Sequence, residues 1–192
     1  MLYVDGKSFS PDYLLNTPLL FLPVFIILLL VRIRASMRTH HICITKELII
    51  FSFLYYLYQL LNHTIFPIFW FTDRSTLPAF GQTLFFENQP LFLFSNFNYY
   101  SLYNIIGNLL LLFPMSFYLC LFVKRPAMIK NTITIFFLSL FIECLQLMMT
   151  YFYFGDRIFD ITDLLLNTLG GFMGYLLYAS PIGRWTQILY DK

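Results

Sequence analysis

A chain of 192 residues with 59% hydrophobic side chains, 21% aromatic and only 11% charged falls outside the soluble globular class, where about a quarter of positions carry charge. Its mean hydropathy of +0.70 is that of an integral membrane protein. A net charge of +2, spread over the connections and forming no basic stripe, gives no case for nucleic acid as a partner.

In chain order, five apolar runs approach the roughly 20 residues that cross a bilayer as a helix. They cover residues 13–31, 48–71, 102–123, 131–150 and 161–179. Pro23, Pro67 and Pro114 fall inside three of them. Membrane helices tolerate this because neighbouring groups satisfy the freed carbonyl. The longest connection, residues 72–101, is aromatic-rich and holds Pro78, Gly81 and Pro90, so no soluble domain is left over. The reading is all-α: one membrane domain over residues 1–192 with five transmembrane helices.

Lys and Arg set the orientation. Arg32, Arg34, Arg38 and Lys46 follow the first run, Lys124, Arg125 and Lys130 the third, and Arg184 and Lys192 the fifth, nine of the twelve basic residues. Lys7, Arg74 and Arg157 remain for the opposite side. The amino terminus is therefore expected outside and the carboxyl terminus in the cytoplasm. The first run carries its positive flank after it and lacks a small-residue cleavage site, so it reads as a retained helix. Cys43, Cys120 and Cys144 have no metal or disulfide spacing and read as small fillers.

The last three runs also carry polar side chains, which in a bilayer usually face a bundle interior or a hydrated cavity. These are Asn104 and Asn108, Glu143 and Gln146, and Arg157, Asp160, Asp163 and Asn167. With alternating helix directions, Asn108, Glu143 and Asn167 each fall roughly 9 to 10 Å below the outer end of their helix, at 1.5 Å per residue. At 100° per residue, Asp160, Asp163, Asn167, Gly170, Gly171, Gly174 and Tyr178 share one sector of about 100° on the fifth helix. Gly170 and Gly174 have the spacing that lets membrane helices approach closely. Gly107, Gly170, Gly171 and Gly174 are accordingly expected at helix contacts, beside one outward-opening polar pocket.

The segments NIIGNLLLLFP (104–114), LSLFIECLQL (138–147) and GDRIFDITDLLLNTLGGFMGY (155–175) resemble the VanZ-like family of bacterial membrane proteins. HTIFP (63–67) is similar to that family's Thr-to-Pro motif at the outer end of an earlier helix. The resemblance covers roughly residues 50–180. Two departures lie in the inner half of the third run, where Ser116 stands for the usual glycine and a following proline is absent. What the resemblance implies is a multi-pass protein of the bacterial plasma membrane, associated through its family with low-level resistance to the glycopeptide teicoplanin. Handling of an envelope lipid or envelope precursor is the broader wording.

Each polar residue also has a plain structural reading. Interhelical hydrogen bonds worth about 1 kcal/mol each would account for Asn104, Asn108 and Gln146. Asp160 reads as the cap of the fifth helix, accepting from its first free amides. Glu143 is harder to dismiss, since an unpaired carboxylate in hydrocarbon costs about 2.5 to 3.5 kcal/mol; it should be paired with Arg157, protonated or hydrated. Asp163 is a second acid one turn deeper than the cap. Arg157 reads either as an interfacial snorkelling residue or as the counter-ion of the cluster, and His63 as an interfacial histidine without a chemical role. The aromatic run from Phe85 to Tyr103 reads as a headgroup-level belt.

Three function classes follow. A binding protein would hold a membrane lipid, a lipid-linked envelope precursor or a glycopeptide in a pocket open to the outer leaflet, and needs no cofactor. The alternative is a membrane enzyme in which Glu143, Asp160 and Asp163 hold a divalent metal against a lipid phosphate or diphosphate. No recognised catalytic signature supports it. A transporter would show internal repeats and broken helices, and neither is clear. Binding needs the fewest added residues and ranks first. The oligomeric state is not set by the sequence.

Overall fold

The computed structural model describes residues 2–4, 7–39, 43–75, 77–81, 86–87, 99–123, 127–157 and 159–191. Lys124, Arg125, Lys192 and most of the expected aromatic belt lie outside the described residues. Helix dominates: α1 (Thr17–Thr39), α2 (Ile44–Thr64), α3 (Tyr99–Leu111), α4 (Phe113–Val123), α5 (Met128–Tyr151), α6 (Ile161–Ala179) and α7 (Pro181–Asp191). Three stretches are long and apolar enough to cross a membrane: Ile44–Thr64, Leu102–Val123 and Met128–Tyr151. Membrane character comes from these helices, and their exteriors agree. On α5 the exposed side chains Ile133, Phe137, Phe141 and Met148 recur at helical spacing, opposite a buried face with Asn131, Ile135, Ser139, Ile142 and Glu143.

Several boundaries differ from the sequence reading. Residues 13–15 do not begin the first helix. They form β3 (Tyr13–Leu15), which pairs antiparallel with β4 (Ile68–Trp70), and the helix starts at Thr17. A further antiparallel pair joins β1 (Leu2–Val4) to β2 (Lys7–Phe9), and the two-residue β5 (Phe86–Glu87) and β6 (Phe159–Asp160) run parallel. Helices α1 and α2 are tied near both ends. Thr17 Oγ1 donates to Asn62 Oδ1 at 2.7 Å, and Arg32 forms a bidentate ion pair with Glu47.

The run from 102 to 123 is broken at Leu112, between α3 and α4. Pro114 accounts for the break: it has no N–H to donate, and its ring clashes with the preceding turn, whereas at the start of a new helix neither matters. The Tyr56 hydroxyl, from α2, donates to the Leu111 carbonyl beside the break at 2.8 Å. The short α7 has no counterpart in the sequence reading. Its Ile182, Trp185 and Ile188 are exposed along one face.

Helix α6 is the hub, packing against α3, α4, α5 and α7. Its glycines explain how so many neighbours fit. A Cβ on Gly170 would overlap the Leu109 carbonyl oxygen of α3, one on Gly171 the Ile135 side chain of α5, and one on Gly174 the Phe113 carbonyl of α4. Gly107 does not belong with them. It is exposed, and a Cβ there would meet nothing within 4 Å, because its face of α3 looks into an open cavity. Beneath the hub, Leu60, Leu112, Met115, Ile135 and Ile142 form the main apolar core.

Candidate functional site

A cavity of about 940 Å³ opens between α2, α3, α5 and α6. All eight polar residues singled out from the sequence line it: Asn104, Asn108, Glu143, Gln146, Arg157, Asp160, Asp163 and Asn167, with Gly107 among them. They are not equally deep. Glu143 is 2% exposed and Asn167 is 1% exposed, while Asn108 and Asp163 are intermediate and Asn104 and Arg157 are exposed. The cavity therefore has a polar floor and a polar rim.

The floor is built by α5 and α6. Asp160 starts α6 as its N-cap, its carboxyl accepting from the Thr162 amide at 2.7 Å, which satisfies one of the free first-turn donors. The Asp160 amide in turn donates to Glu143 Oε2 at 3.2 Å. That fixes Glu143 to the start of α6. One turn deeper, Asp163 accepts from the Asn108 amide of α3 through Oδ1, and both Asp160 and Asp163 lie within electrostatic reach of Glu143. Asn167 donates through Nδ2 to Ser139 Oγ at 3.1 Å, whereas its buried Oδ1 has no partner among the described residues.

The walls are tied to the floor. Gln146 Nε2 donates to the Thr64 carbonyl at 2.8 Å, joining α5 to the end of α2, and Thr64 itself is buried with its hydroxyl on the Leu60 carbonyl. At the rim, the loop leaving α5 turns through Tyr153, whose φ of 61° is left-handed. Thr150 closes that loop by reciprocal hydrogen bonds with the Arg157 backbone, 2.8 and 2.9 Å. Arg157 is thereby held at the mouth, where its Nη2 donates to the His63 carbonyl at 3.2 Å.

One of the alternatives read from the sequence for Glu143 is corrected by these partners. Arg157 is not the ion-pair partner of Glu143. Among the described residues the ion pair is Arg32 with Glu47, and Glu143 is met by a backbone amide. Glu143, Asp160 and Asp163 all line the cavity, and among the described residues no group of three or more His, Cys, Asp or Glu side chains is placed to hold a metal ion.

The wall from α2 was missed. Tyr56, Gln59 and His63 line the cavity with Asn62, and Tyr56, Gln59 and His63 are spaced i, i+3 and i+7, the one-face pattern already applied to the later helices. Helical phase applied to α2 was the signal that would have found them.

The family model described as VanZ/LLP1 matches residues 53–184, a stretch that contains every residue named in the cavity. No curated protein and no solved structure matches the chain.

Proposed function

From a chain that belongs to the VanZ/LLP1 family, we propose a multi-pass protein of the bacterial plasma membrane that binds the polar head of an envelope amphiphile in a pocket open to the outer leaflet. Five spans, with the amino terminus outside and the carboxyl terminus in the cytoplasm, give each connection the Lys and Arg balance of the positive-inside rule. The ligand is an envelope lipid, a lipid-linked precursor or a glycopeptide. Sequestering or presenting it is the route by which the protein would contribute to glycopeptide (teicoplanin) resistance.

One observation carries the reading: Glu143 and Asn167, almost wholly buried, line the same cavity of about 940 Å³ as Asn108 and Asp163. That volume lies in the range of small-molecule sites, about 300 to 1,000 Å³. Polar groups at its floor and apolar side chains such as Leu102, Ile106 and Leu110 on its α3 wall suit a molecule with a polar head and an apolar tail. Buried acids in a membrane bundle are costly, and a hydrated or occupied pocket offsets that cost.

The test is native mass spectrometry of protein purified in mild detergent. Wild-type protein should retain a defined envelope lipid or precursor, and a Glu143→Gln, Asp163→Asn double variant of equal abundance should lose it. Equal retention by both proteins would overturn the reading.

A further inference from the structure

The floor of the cavity presents hydrogen-bond acceptors in excess of donors. Glu143 uses Oε2 for the Asp160 amide, leaving Oε1 without a partner among the described residues. Asp163 uses Oδ1 for Asn108, leaving Oδ2. Asn167 spends its amide donor on Ser139, and its buried Oδ1 has no partner among the described residues. Asn167 is the independent observation here. It is 1% exposed, belongs to the cavity lining, and has no partner for Oδ1 among the described residues, a state that costs about 1 to 3 kcal/mol and that a donor reaching the floor would relieve.

The rim adds donors, although Asp156 also stands there. Arg157 carries five N–H donors, of which the described contacts use Nη2 alone, on the His63 carbonyl. Asn104 stands exposed at the same cavity and adds an amide donor. The cavity is therefore graded, with Arg157 beside Asp156 at the rim and the acceptors of Glu143, Asp160, Asp163 and Asn167 on two adjacent helices below.

Resting on the function proposed above, we propose that the head recognised is a primary ammonium linked to a phosphate, as in a phosphoethanolamine lipid. The ammonium sits at Glu143, Asp163 and Asn167, and the phosphate at Arg157. A primary ammonium has three N–H donors and no acceptor, which suits a floor where Glu143, Asp160 and Asp163 all present carboxyl oxygens. It also adds positive charge at two acids that have no ion-pair partner within contact distance among the described residues, Arg157 acting on Asp163 only at longer range. A trimethylammonium has no N–H to give, and a glycerol head has hydroxyls but no charge. Neither meets the floor as well.

The experiment uses full-length protein in phosphatidylglycerol nanodiscs carrying an equal minor fraction of phosphatidylethanolamine or phosphatidylcholine, with bound lipid counted by native mass spectrometry. Phosphatidylethanolamine should be enriched on the protein by about tenfold or more over both others, the factor that corresponds to one charged hydrogen bond. Glu143→Gln should bring that enrichment to parity, and Arg157→Gln should lower retention of all phosphate-bearing lipids together. Competition by soluble phosphoethanolamine, but not by ethanolamine alone, would place the same chemistry on a head free of its tail. Pocket-dependent retention without preference for the primary amine would overturn the ammonium assignment and leave lipid binding standing. Loss of all pocket-dependent retention would overturn both. The lipid panel on wild-type protein needs no variant, so the assignment is decided even where Glu143→Gln fails to accumulate.

Discussion

Asn108 of α3 donates its amide hydrogen to the carboxyl of Asp163 on α6, joining two helices whose backbones already meet at Leu109 and Gly170. The bond sits at the edge of the cavity, so it serves packing and presentation at once. Interhelical hydrogen bonds in membranes are modest, about 1 kcal/mol. A double-mutant cycle of Asn108→Leu and Asp163→Leu, read from SDS-titrated unfolding in mixed micelles, should return a coupling energy of about that size. Asn104→Leu, one turn up and exposed, should show no coupling to Asp163. A zero coupling for Asn108 would mean that the pair contributes nothing to the bundle.

The glycines separate packing from openness. At Gly170 and Gly174 an added methyl meets backbone carbonyls of α3 and α4, which cannot rotate away, so Gly170→Ala and Gly174→Ala should each cost about 1 to 3 kcal/mol as overpacking. Gly171→Ala presses on the Ile135 side chain, a branched group that yields a little, and should cost less. Gly107→Ala faces open space and should leave stability within about 1 kcal/mol of wild type. Thermal unfolding in detergent ranks the four variants. A destabilised Gly107→Ala beside a tolerated Gly170→Ala would contradict the helix contacts.

Helical phase made α6 legible before any coordinates. Its apolar run coincides with Ile161–Ala179, and its polar and glycine stripe falls opposite the exposed Leu165, Leu169, Met173 and Leu176. Periodicity works there because one face is small and polar and the other is bulky and aliphatic. It says less where local chemistry interrupts a run: Pro114 splits 102–123 into two helices, and Tyr13–Leu15 finds a strand partner 55 positions away at Ile68–Trp70, a pairing that hydropathy cannot announce. Partners within the site were also beyond reach. That Glu143 would meet the Asp160 amide, and not Arg157, depends on how the loop after α5 is closed by Thr150, a tertiary detail. Gly107 was misplaced for the related reason that a glycine spacing does not reveal which face is left uncovered.

Orientation can be read with single cysteines introduced into protein whose Cys43, Cys120 and Cys144 are replaced by serine or alanine. Asp156→Cys and Ala127→Cys lie just beyond opposite ends of α5 and both are exposed. With the amino terminus outside, an impermeant maleimide applied to intact cells should label position 156 and spare 127 until the membrane is permeabilised. The reverse pattern would invert the bundle and put the mouth of the cavity in the cytoplasmic leaflet, against the distribution of Lys and Arg.

Asn167 gives a prediction in which stability and binding move in opposite directions. Among the described residues its buried Oδ1 has no partner, a state that costs about 1 to 3 kcal/mol, and its side-chain bond is to Ser139 at 3.1 Å. Asn167→Leu removes the unmet acceptor and fills the same space with an apolar side chain. Ser139, on α5, keeps the carbonyl one turn back as an alternative partner for its hydroxyl. Ligand-free protein should therefore unfold at the same temperature or higher, while retention of the copurifying lipid falls by about tenfold, the factor for losing one hydrogen bond to a charged group. A site kept for binding predicts this combination, because an acceptor that helps only when a donor arrives is a burden in its absence. If Asn167→Leu lowers stability and binding together, the side chain is part of the scaffold, and the open oxygen has to be met from within the bundle.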